Sequence, residues 1–89
     1  MAYTVEFTSK AVHAFGDLPR NIQVRLASRI DGLVKEPRPP GVEKLSGADD
    51  LYRLRVGDYR VIYQIKDKLL LVLVVTVGHR REVYRRPSK

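Results

Sequence analysis

The sequence predicts an α+β domain of order β-α-α-β-β-β: a helical hairpin packed on one face of a small, mostly antiparallel four-stranded sheet. Three stretches carry this prediction. Residues 51–64, LYRLRVGDYRVIYQ, are two alternating apolar and polar runs joined at Gly57-Asp58, the mark of a β-hairpin with a two-residue loop. Residues 69–77, LLLVLVVTV, are apolar at nearly every position, as in a central strand covered on both faces. Leu18, Ile22, Leu26, Ile30, Leu33 and Val34 recur at helical spacing and form one apolar stripe. The 89 residues suffice for one core and no second, so 1–89 is read as a single domain.

Taken in order, residues 2–7 (AYTVEF) alternate Tyr3, Val5 and Phe7 against Thr4 and Glu6 and form a first strand. Thr8 or Ser9 can cap the next element, a helix in which Ala11, Val12 and Phe15 lie at helical spacing and Gly16 ends the turn. Asp17-Leu18-Pro19 opens a second helix, since proline suits a first helical turn. This helix runs about four turns and stops at Glu36-Pro37, because a residue before proline is pushed out of helical geometry. Arg20, Arg25 and Arg29 lie off the apolar stripe and read as a solvated helix face rather than as RNA contacts. Residues 38–50 (RPPGVEKLSGADD) form the one irregular connection. After the hairpin, Asp67-Lys68 makes a second tight turn, Gly78 breaks the apolar strand, and residues 79–86 (HRREVYRR) are basic.

Composition excludes several function classes. Without cysteine there is no disulfide framework and no thiolate metal site, and no run is long enough to cross a bilayer. The N-terminus has no signal-peptide apolar core, so the chain is expected in the cytoplasm. No phosphate-binding glycine loop, nucleophile motif or metal-ligand spacing is present, so neither a cofactor nor a metal is expected. The net charge of +7 is unevenly placed. Residues 1–50 hold seven Lys/Arg and seven Asp/Glu, whereas residues 51–89 hold ten and three. A one-sided basic field of this kind fits a polyanion, either nucleic acid or an acidic protein, and a membrane surface less well.

The excess charge coincides with the hairpin. A loop at Gly57-Asp58 sets Arg55 opposite Arg60 and Arg53 opposite Ile62, with Tyr52, Leu54, Val56, Tyr59, Val61 and Tyr63 on the other, core-building face. Like charges directly opposite one another destabilise a sheet, so the arrangement implies an anionic ligand. Guanidinium groups hold phosphate through two parallel N–H bonds and suit a phosphorane that gains negative charge in its transition state. With Arg80 and Tyr84 further on, the residues read as a site where single-stranded RNA or a phosphorylated partner is bound or cut.

LYRLRVGDYRVIYQI, followed by an apolar strand and VGHRREVY, resembles the RelE group of the RelE/ParE toxins of type II toxin–antitoxin modules. AYTVEFTSKA and KLSG also fit, so the resemblance covers nearly the whole chain. It implies a toxin that enters the ribosomal A site and cleaves mRNA there by attack of the 2′-hydroxyl, leaving a 2′,3′-cyclic phosphate and a 5′-hydroxyl. It also implies a cognate antitoxin, expected to be acidic. Carried over residue by residue, it makes Arg53 and Arg55 the basic pair of the first hairpin strand and Arg60 the group that stabilises transition-state charge. Arg80 assists the leaving group, and Tyr84 stacks on the scissile nucleotide. The chain departs from the best-known pattern at Arg53 and Arg55, where RelE has lysines and one is the proposed general base. Arginine does not give up its proton, so the base is unassigned, with His79 and Tyr84 as candidates. The alternative is the ParE-like branch, which poisons DNA gyrase by binding and cuts no RNA; Arg80 and Tyr84 favour the nuclease. A third reading is a plain basic RNA-binding domain.

Overall fold

In a computed structural model, which describes residues 2–45 and 50–79, two helices lie on one face of a five-stranded sheet. The elements are β1 (Thr4–Phe7), α1 (Ser9–Gly16), α2 (Arg20–Gly32), β2 (Glu43–Lys44), β3 (Leu51–Val56), β4 (Tyr59–Lys66) and β5 (Leu71–His79), with a single 3₁₀ turn at Asp67–Leu69. The strand order is β1-β5-β4-β3-β2. β1 runs parallel to β5 and every other pairing is antiparallel.

The sheet has one strand more than the sequence predicts. Glu43-Lys44, within the connection read as irregular, pairs with Arg53 and Tyr52. Two residues are too few to show a period, so tertiary pairing alone reveals β2. The hairpin, by contrast, has the expected register at every rung from Tyr52↔Tyr63 to Val56↔Tyr59. Gly57 takes a left-handed φ of +62° at the first loop position, the place that a type II′ turn reserves for glycine.

The core lies between the helices and the near face of the sheet. Leu26, Ile30 and Leu33 of the second helical segment meet Tyr52, Leu54 and Val56 of β3, Val61, Tyr63 and Ile65 of β4, and Val72, Val74 and Val77 of β5. Of the two possible caps for α1, Thr8 is the one used: its Oγ1 accepts from the Ala11 amide at 3.0 Å. The same hydroxyl donates to the Val75 carbonyl at 2.8 Å. Val75 is the extra residue of a β-bulge, since Ile62 pairs with Thr76 while Tyr63 pairs with Val74. Bulges re-aim the side chains beyond them. Here the shift sets Val77 opposite Val61, Gly78 opposite Arg60 and His79 opposite Tyr59.

α2 ends earlier than the sequence suggests, at Gly32, and the chain turns through residues 33–35 before Pro37. Pro37 and Arg38 are tied to the sheet end remote from the Gly57-Asp58 turn. The Tyr63 hydroxyl donates to the Pro37 carbonyl at 2.7 Å, and Arg38 donates from Nε to the Tyr52 hydroxyl at 3.0 Å. Arg38 also makes a two-point pair with Asp67, which accepts a further bond from the Tyr3 hydroxyl at 2.6 Å. These donors hold the Asp67 carboxyl below the usual carboxylate range, the Arg38 hydrogen bond first and the Tyr3 bond next. A depressed carboxylate stabilises the fold above its unfolded pKa, about 4, and the contribution is lost as pH falls through the folded value. Asp67→Asn should therefore melt below the wild type at pH 7, with the gap closing on acidification towards pH 3. A gap of constant size across that range, measured by circular dichroism, would count against an electrostatic role.

Candidate nucleic-acid interface

Alternation along β3 and β4 brings Arg53, Arg55 and Arg60 together on the sheet face turned away from the helices. They are not equivalent. Arg55 is exposed and makes no ion pair among the described residues. Arg60, directly across the ladder, is only 6% exposed and is the one buried charged side chain among the described residues. Its partner on the other side is Gly78 of β5, which presents no side chain.

Arg53 is committed elsewhere. Its Nε donates to Glu43 Oε1 at 3.0 Å and its Nη2 closes a short ion pair with the same oxygen. The pairing of Glu43 with Arg53 in the β2–β3 ladder sets up this contact. The bond from Arg53 comes first among the causes that hold the Glu43 carboxyl below its ordinary range, with Arg55 and Arg60 adding at longer reach. Glu43 is a site residue that sequence reasoning misses, and no periodicity marks it. Its carboxylate fixes Arg53 in place and offsets one of three adjacent charges, which leaves Arg55 and Arg60 as the pair facing each other across one rung.

Of the base candidates, His79 belongs to the other side of the sheet. Its ring meets Tyr59 edge-on at a centroid distance of 5.3 Å. Together they border a cavity of about 430 Å³ with Ala14, Leu18 and Val77, and none of the three arginines lines it. The bulge at Val75 produces this placement, because it shifts the phase of β5 by one residue. Arg80 and Tyr84 lie outside the described residues. Among the described residues no group of three His, Asp or Glu side chains is placed to hold a metal ion, and no helix is long and apolar enough to cross a membrane.

A small mixed sheet with a helical pair on one face and three arginines on the other defines a basic α+β domain. A family profile described as the ParE toxin of the type II toxin–antitoxin system, parDE, matches residues 5–84. The chain belongs to the RelE/ParE toxin superfamily of type II toxin–antitoxin systems. It is 32% identical to the mRNA interferase toxin RelE of Escherichia coli K12 over an alignment of 93 residues, covering 100% of this chain and 97% of that protein. It is 33% identical to toxin RelG of Mycobacterium tuberculosis over 87 residues, covering 97% of this chain and 100% of that toxin. Among solved structures, the intact E. coli RelBE toxin–antitoxin complex matches with a TM-score of 0.79 at 28% identity, covering 88% of this chain and 96% of that one. The archaeal RelE–RelB complex of Pyrococcus horikoshii OT3 matches with a TM-score of 0.79 at 36% identity, covering 90% and 97%.

Proposed function

We propose that this chain is the toxin of a type II module and acts as an mRNA interferase. The observation that carries the reading is the Arg55–Arg60 rung, set on a chain whose full length aligns with a named mRNA interferase. In the reaction, the 2′-hydroxyl oxygen attacks the neighbouring phosphorus and the bond to the 5′-oxygen breaks. The products are a 2′,3′-cyclic phosphate and a 5′-hydroxyl; one proton leaves the 2′-oxygen and one is delivered to the 5′-oxygen. Arg55 and Arg60 clamp the phosphate and meet the charge that grows on its non-bridging oxygens, and Arg53, fixed by Glu43, steadies the flanking strand. In the same reading Arg80 supplies charge at the leaving group and Tyr84 stacks on the scissile nucleotide. With no lysine at position 53 or 55, attack of the 2′-hydroxyl rests more on positioning of the substrate than on a strong base.

The site of action is the ribosomal A site, and the cell holds the toxin in check with a cognate antitoxin. A net charge of +7 fits an acidic antitoxin segment, and the RelE proteins of the matched complexes are bound to RelB. The test is induction of the toxin alone, with translation, mRNA ends and plasmid supercoiling followed together. Translation should stop first, with new 5′-hydroxyl ends inside codons. Loss of supercoiling ahead of any mRNA cleavage would replace the nuclease with gyrase poisoning.

A further inference from the structure

The described residues hold a second set of cations that the rung does not account for. Arg25 lies on α2, on the helix side of the sheet, yet its guanidinium reaches the β3–β4 turn: Nη2 is 3.2 Å from the point that a β-carbon on Gly57 would occupy. Gly57 thus meets two demands, a left-handed φ of +62° and space for a guanidinium over the loop. Arg25 makes no ion pair or side-chain hydrogen bond among the described residues, although Asp58 is next in the turn. It has no acidic residue three or four positions away along the helix, and four positions on stands Arg29, also exposed and without an ion pair among the described residues. Like charges at that spacing destabilise a helix slightly.

The flank these two residues occupy is fixed by the rest of α2. Ile22, Leu26 and Ile30 face the core, and the Gln23 amide donates to the Gly16 and Leu18 carbonyls, so that flank is turned towards α1. Arg25 and Arg29 stand on the opposite flank, one helical turn apart, and Arg25 reaches over the loop that ends β3. Beyond Arg53 the outer edge of β3 is not covered by β2, whose pairing ends at Glu43↔Arg53. Arg25 at the hairpin loop and Arg55 on the opposite sheet face therefore set cations from both layers around the hairpin tip, with Arg29 one helical turn behind Arg25.

Resting on the nuclease reading, we infer that Arg25 and Arg29 form a phosphate-binding rail for folded RNA, separate from the cleavage rung, which docks the hairpin tip. Two arginines one helical turn apart, about 6 Å along the axis, can each meet a different phosphate of one backbone. Among the described residues the flank carries no aromatic or large apolar anchor of the kind that dominates protein interfaces. Val24, 59% exposed, points from the outer face of α2 and not from this flank. These features favour a nucleic-acid backbone over an acidic peptide.

The test compares wild type, Arg25→Ala, Arg25→Lys and Arg25→Ala/Arg29→Ala on ribosomes carrying an mRNA with 2′-O-methyl groups, so that binding is read without cleavage. Arg25→Ala should weaken binding about tenfold. The slope of log affinity against log salt should fall by about one for the single variant and about two for the double, with Arg25→Lys recovering most of it. On unmodified mRNA the single variant should raise KM and leave kcat unchanged. An unchanged salt slope would overturn the rail, as would loss of affinity for polyglutamate with ribosome binding intact, which assigns the flank to an acidic protein. Failure of the wild type itself to cut mRNA in the same assay would instead remove the nuclease reading.

Discussion

Arg60→Ala should abolish growth arrest on induction and lower single-turnover cleavage of ribosome-bound mRNA by roughly a hundredfold to a thousandfold, the usual cost of removing one preorganised donor to transition-state charge. Arg60 is 6% exposed, so truncation also removes buried contacts, and the melting temperature of each variant must be measured beside the rate. Arg60→Lys separates the two effects. It keeps the charge and much of the side-chain volume and loses the planar fork, so it should retain more activity than alanine while remaining below wild type. Wild-type toxicity from Arg60→Ala at matched expression would end the assignment of Arg60 to the reaction.

Arg55→Lys should cut more slowly, by about tenfold, across the whole accessible pH range. A guanidinium holds phosphate through two parallel bonds, and an ammonium group offers a single point charge, so the substitution gives up roughly one charge-assisted hydrogen bond. The opposite outcome has a clear meaning. If the residue at position 55 had to accept the proton of the 2′-hydroxyl, lysine could do so and arginine could not, and the variant would be the faster enzyme. Arg55 is exposed and makes no ion pair among the described residues, whereas Arg53 is held by Glu43, which is why the proposed clamp is assigned to Arg55. A pH–rate profile under saturating toxin distinguishes the two.

The hairpin is legible rung by rung because a period of two and a Gly-Asp loop leave one register that buries Tyr52, Leu54 and Val56. The same logic places three arginines on one face. It cannot say which of them is covered, because alternation assigns a face and not what lies over it; Arg60 is buried and Arg55 exposed. The bulge at Val75 is hidden for a related reason. In LVLVVTV nearly every neighbour is apolar, so no clear polar alternation marks the phase, and the side of the sheet that His79 takes cannot be read. Glu43 is out of reach, and Arg25 reads as one more solvated helix residue, because what singles each out is a neighbour distant in sequence, Arg53 in one case and Gly57 in the other.

The parallel pairing of β1 with β5 joins Thr4–Phe7 to residues 71–74, and Thr8 is bonded to Val74 and Val75 across the same gap. Contacts of such high sequence separation form late and slowly, since a long loop must close before they give any return. During synthesis the first strand waits unpaired, the two helices have only part of a sheet to cover, and Gly78 has not yet arrived beside Arg60. The Arg55–Arg60 rung belongs to the local β3–β4 hairpin, but its flank at Gly78 is complete only when β5 has paired with β4. A chain cut short of β5 keeps the hairpin and its rung but loses the neighbour of Arg60 and the partner of β1.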